Sequence, residues 1–124
     1  MLFRSDPVAS AAAVLARPAR ALVVGPGLAP SPPIVALVDG LLAARPDVAM
    51  VPAVVDAGAL TALAASPGWW ERPIRPCVLT PHPGELARLD GRPIAEDDAG
   101  RADRALEMAR RSGQVVVQIG RAHV

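Results

Sequence analysis

Four short valine-rich runs limit what this chain can become: "ALVVG" (21–25), "PAVVDAG" (52–58), "CVLT" (77–80) and "QVVV" (114–117). Each is too short for a typical helix and apolar enough for a strand buried on both faces, as strands of parallel sheets are. Helical patterns separate them. "SPPIVALVDGLLAAR" (31–45) has prolines where a first turn tolerates them and apolar residues at three-to-four spacing. "ALTALAAS" (59–66) is a short helix, and "PGELARL" (83–89) opens another directly behind the third run. "AEDDAGRADRALEMARRSG" (95–113) carries acids at its start, arginines near its end and a closing glycine, which suits the helix dipole; Gly100 argues against a single unbroken helix. This alternation predicts an α/β fold with a mainly parallel sheet covered on both faces. In such sheets, chemistry gathers at the carboxyl ends of the strands.

The 124 residues suffice for one modest domain. Hydrophobic residues make up 52% but aromatics only 2%, so the core is built from Ala, Val and Leu. No apolar run reaches the length of a membrane span, so no membrane partner is expected. A net charge of +1 with scattered arginines, and no lysine, gives no nucleic-acid footprint. The one cysteine, Cys77, cannot form an internal disulfide and fits a reducing cytoplasm, where it reads as a small buried hydrophobe.

Three motifs fall at expected strand ends. "VVGPGLAP" (23–30) sets two glycines around a proline, which lets backbone approach a ligand or simply makes a turn; its spacing is not the dinucleotide fingerprint. "VVDAGAL" (54–60) puts Asp56 at a strand tip, where it either meets a metal, water or hydroxyl, or caps the next helix. "LTPHPGEL" (79–86) is more specific: two prolines stiffen the loop around His82, Gly84 permits a tight helix entry, and Glu85 falls in the first turn beside exposed N–H groups. Backbone hydrogen bonding by His82 is the plainer alternative, but the prolines favour a shaped pocket. The adjacent Trp69 and Trp70 are expected to pack over a helix end.

Taken in order, "GPGLA" (25–29), "DAGAL" (56–60) and "TPHPGE" (80–85) resemble the "GPGLG", "DADAL" and "TPHPGE" motifs of the ADP- or ATP-dependent NAD(P)H-hydrate dehydratases. That family is a branch of the ribokinase-like fold, so the resemblance implies part of a three-layer α/β/α domain. It also implies repair chemistry: hydrated NADH or NADPH is phosphorylated on its added hydroxyl, and loss of phosphate restores the nicotinamide. Gly27, His82 and Glu85 would line the hydrated-dinucleotide site, with Asp56 close to it. ADP or ATP would be the phosphoryl donor, with Mg2+ as cofactor. The parent is expected to be cytoplasmic and can be homo-oligomeric. Ala29 and Gly58 depart from the motifs, and Gly58 removes the second family aspartate. Two alternatives are a hydroxymethylpyrimidine-type kinase of the same fold, against which "TPHPGE" tells, and a non-enzymatic nucleotide-binding protein.

The family's fourth strand continues as "VVVLKGA", whose loop contacts the nucleotide, and a later "GTGD" supplies the catalytic aspartate. Here Val117 is followed by Gln118 and "IGRAHV". Those residues back-translate into a common DNA-sequencing adapter, and "MLFRS" back-translates into its reverse complement. The expectation is therefore a partial domain over 6–117, with 1–5 and 118–124 adapter-derived, so that Phe3 and His123 are no site candidates. Without Arg4 and Arg121 the arginines no longer outnumber the acids. Such a piece, with an open apolar sheet edge, is expected to be inactive and marginally stable. Sequencing the source DNA across both ends tests this: the frame should run from Val117 into Leu-Lys-Gly-Ala and later Gly-Thr-Gly-Asp. A genuine stop after Val124 would overturn it.

Overall fold

The computed structural model describes residues 11, 13–15, 17–29, 31–45, 50–93 and 97–118. The segments 1–5 and 119–124, which include Phe3 and His123, lie outside them.

All four valine-rich runs form strands: β1 (Leu22–Val24), β2 (Ala53–Val55), β3 (Cys77–Leu79) and β4 (Val115–Val116). They pair in parallel and in chain order, β1-β2-β3-β4. The intervening helices are α1 (Pro32–Leu42), α2 (Gly58–Ala64), α3 (Pro83–Asp90) and α4 (Asp98–Ser112). A right-handed crossover between neighbouring parallel strands deposits its helix on a fixed side. Because the strands never reverse order, every crossover lands on the same side, and α1 touches α2, α2 touches α3, and α3 touches α4.

The strand pleat shows the consequence. Val24, Ala53, Val55, Cys77 and Leu79 point at the helices and are buried. The alternate row, Val23–Val54–Val78–Val115 in register, points away, leaving Val23 70% and Val115 57% exposed. The α/β class and the parallel sheet are as expected. Of the three layers, the described residues build the sheet and one helical layer; they do not supply the second helical cover that the all-apolar runs suggest.

Local signals set the element ends. The Ser31 hydroxyl accepts the Ile34 N–H, with prolines in the first turn of α1, and Ala43 ends that helix early by bridging antiparallel to Ile74. Contrary to expectation, α4 is unbroken: Gly100 sits in its first turn and donates its N–H to the Asp97 cap at 2.8 Å. Gln114 lies before β4, yet its Oε1 accepts the Cys77 N–H at 2.7 Å and extends the sheet's bonding with a side chain.

Trp69 is buried and donates Nε1–H to the Leu89 carbonyl at 3.2 Å, so it packs over the end of α3 as expected. Trp70 meets it edge-to-face, with the Arg111 guanidinium 5.2 Å from its own ring.

Two polar anchors were not legible in the sequence. Arg75 is 2% exposed and donates to the carbonyls of Leu41 (2.7 Å) and Val51 (2.8 Å), joining α1 to the approach of β2; burial lowers its pKa. Asp90, its side chain 1% exposed, accepts from Arg92, Arg104 and Arg111, while Glu107 pairs with Arg92 and Arg111. This network fastens α4, and hence β4, to α3. Asp90→Asn weakens three ion pairs whose guanidiniums still reach solvent, so it should cost about 1–2 kcal/mol. A lower urea midpoint at unchanged slope would show it.

Candidate functional site

The carboxyl ends of the strands gather the three motifs. Gly25–Pro26–Gly27–Leu28 is a β-turn closed by the Leu28 N–H on the Gly25 carbonyl at 3.0 Å. Its proline at the second position and a glycine of φ +84° at the third are what a type II turn requires. Gly27 is therefore explained by the turn, and it does not line the cavity described below.

A second turn follows β2. The Ala59 N–H bonds the Asp56 carbonyl at 3.1 Å, with Ala57 at φ 50°, ψ −124°. Those angles are the second position of a type II′ turn, which favours glycine. Ala57 is thus a strained non-glycine residue beside Asp56.

After β3, Pro81 is buried and Pro83 occupies the first position of α3. His82 caps the helix: its Nδ1 accepts the Glu85 N–H at 3.2 Å, and Glu85 Oε1 accepts the His82 N–H at 3.0 Å. This reciprocal capping box uses an imidazole in place of the usual hydroxyl. Because Nδ1 is an acceptor, the neutral ring carries its proton on Nε2, which lies 3.6 Å from Glu85 Oε2. Glu85 is buried, whereas the His82 side chain is 53% exposed. A Cβ at Gly84 would stand 3.0 Å from the imidazole Cε1, so the exposed ring would have to shift by a few tenths of an ångström to admit it.

Val54, Asp56, Thr80, His82 and Glu85 surround a cavity of about 360 Å³. Asp56 and Thr80 share the strand parity of Val54 and Val78, so the cavity sits where the uncovered sheet face meets the strand tips. Thr80 Oγ1 donates to the Val55 carbonyl at 3.3 Å. No cap bond runs from the Asp56 carboxylate to α2, and no hydrogen bond from any described residue reaches it. Of the four residues expected at a site, the structure brings together Asp56, His82 and Glu85 and leaves Gly27 outside. Thr80, which falls among the informative residues after the third strand but is not assigned to substrate, joins them in the lining.

Comparison with known proteins settles the kinship. A family model described as NAD(P)H-hydrate dehydratase matches residues 3–124. The chain belongs to the NAD(P)H-hydrate dehydratase family. It is 48% identical over 89 residues to the bifunctional NAD(P)H-hydrate repair enzyme Nnr of Moorella thermoacetica, covering 72% of this chain and 16% of that protein. It is 36% identical over 101 residues to the ADP-dependent (S)-NAD(P)H-hydrate dehydratase of Bacillus subtilis, covering 82% and 33%. A crystal structure of the Bacillus subtilis ADP/ATP-dependent NAD(P)H-hydrate dehydratase, co-crystallized with ATP/Mg2+ and soaked with CoA, superposes with a TM-score of 0.63 at 38% identity, covering 82% of this chain and 34% of that one. The chain thus spans about a third or less of the length of these family members.

The strain at Ala57 is directly testable. Ala57→Gly relieves a penalty of about 1–3 kcal/mol and costs up to about 1 kcal/mol in backbone entropy, so it should stabilise the chain by about 1 kcal/mol. Denaturant unfolding of the two chains measures the difference.

Proposed function

We propose that this chain is part of a metabolite-repair enzyme acting on hydrated NADH or NADPH, and that its cavity receives the hydrated nicotinamide end. The observation that carries the reading is the Asp56 carboxylate, bound by no described residue, beside the Thr80 hydroxyl and the exposed His82 ring. A nicotinamide that has gained water differs from the intact ring by an added hydroxyl, and a carboxylate is a strong acceptor for one. The His82 Nε2–H supplies a donor on the same rim, while Glu85 holds that ring through the capping box. About 360 Å³ admits one ring and its substituents but not a whole dinucleotide, so the rest of the substrate would extend over the uncovered sheet face.

A phosphoryl donor, ADP or ATP, supplies the leaving phosphate in this reading. Among the described residues no group of three or more His, Cys, Asp or Glu side chains could hold a metal ion. Mg2+ is commonly held by one or two carboxylates together with nucleotide phosphates and water and needs no such cluster, so the roles assigned here are confined to binding and orienting substrate. Among the described residues no helix is long and apolar enough to cross a membrane. A cytoplasmic place for the parent rests on the lone buried cysteine, and an oligomeric parent on the resemblance alone. We further propose that residues 6–117 are the authentic part of the chain, and that the 124-residue chain alone turns over no hydrated NADH with ADP or ATP.

The test uses the full-length protein recovered by extending the reading frame. Asp56→Asn replaces a charged acceptor with a neutral one, and His82→Asn removes the ring N–H donor while asparagine keeps a helix cap. Each should raise KM for hydrated NADH roughly tenfold to a hundredfold, while unfolding stability stays close to that of the parent. Unchanged KM in both variants would sink the assignment of this cavity.

A further inference from the structure

We propose that Gly58 is a positioning residue for Asp56, acting through a reciprocal lock between the two turns at the sheet edge. This rests on the site assignment above and adds to it a residue that makes no contact with the cavity itself.

Two glycines from different turns each face the other turn's backbone carbonyl. A Cβ built on Gly25 overlaps the carbonyl oxygen and carbon of Asp56. A Cβ built on Gly58 overlaps the carbonyl oxygen of Leu28 and presses on that residue's own Cβ at 3.1 Å. The obstructing atoms are main chain in both cases, so no rotamer change can make room. The 25–28 turn and the 56–59 turn are therefore held at a separation that only hydrogen-sized substituents allow. Asp56 lies between the two contacts: its N–H is bonded to the Val24 carbonyl at 3.0 Å, and its own carbonyl is engaged by the Ala59 N–H.

Ala57 supports this independently. Strained angles at a non-glycine residue persist only where the surroundings over-determine them. Here the lock on one side and the start of α2 on the other fix the peptide, so the Asp56 carboxylate faces the cavity although no hydrogen bond from a described residue holds it there. In this chain, which has alanine at 29, a side chain at position 58 must push the 25–28 turn outward and re-aim Asp56 relative to Thr80 and His82, whereas the family motifs pair an aspartate at this place with glycine at 29.

The experiment has two arms. In the first, Gly58→Ala and the double variant Gly58→Ala/Ala29→Gly are made in the 124-residue chain and followed by amide chemical shifts. The single variant should shift the amides of Gly25, Leu28 and Asp56 while leaving Trp69 and Gln114 in place. Glycine at 29 frees the turn to retreat, and should return the Asp56 amide toward its parental position. In the second arm, the full-length protein carries Gly58→Ala, Asp56→Asn and both together, and KM for hydrated NADH is measured. Gly58→Ala should raise KM severalfold with little change in kcat, and the double variant should be no worse than Asp56→Asn alone. Additive effects, or unmoved amides in the 25–28 turn, would overturn the lock. If Asp56→Asn leaves KM unchanged, the site assignment falls while the amide shifts still decide the lock.

Discussion

The handedness of the crossover between parallel strands governs this structure. Four strands laid down in chain order oblige all four connecting helices to share one face of the sheet. Everything buried follows from that: the Leu, Ala and Val side chains of α1 to α3 meet the inward row of the strands. The outward row of valines is left as the floor beneath the cavity. The candidate site is thus composed from outward-parity residues at the strand tips, Asp56 and Thr80, completed by the cap of α3.

The two ends of the sheet are built by different means. At the amino ends, long side chains reach across gaps: Arg75 ties two carbonyls together, and three arginines close on Asp90. At the carboxyl ends, side chains give way to bare backbone, with Gly25 and Gly58 allowing two turns to touch. Guanidiniums can adapt to small displacements, whereas abutting main chain cannot. The rigid end is the one that carries the cavity.

Much of this was legible in the residues. The strands, the helices and the parallel pairing follow from valine runs of strand length alternating with three-to-four spacing, and the "TPHPGE" loop announced His82 and Glu85 at a helix start. The coverage of the sheet was not legible, because an all-valine run reads as two-sided burial whether or not a second layer is described. Gly27 is expected in the site on the motif alone; in the structure it takes the third position of a type II turn and does not line the cavity beside Asp56. Glycine's role at 58 was also hidden, since sequence shows a missing aspartate there and not the Leu28 carbonyl that fills its space. Arg75 and Asp90 are ordinary charged residues in sequence, and only the fold shows them buried.

Cys77 gives the chain an internal clock. It is the sole thiol, it is 4% exposed on the helix-covered side of β3, and burial pushes its pKa up to about 11. Its Sγ–H is also engaged with the Arg75 carbonyl at 3.0 Å. The thiolate that an alkylating reagent needs is therefore nearly absent while the sheet is intact, and forms readily only once the strand is exposed to water. The rate at which such a reagent consumes this sulfur would report opening of the central sheet, with no engineered probe and no background from a second cysteine.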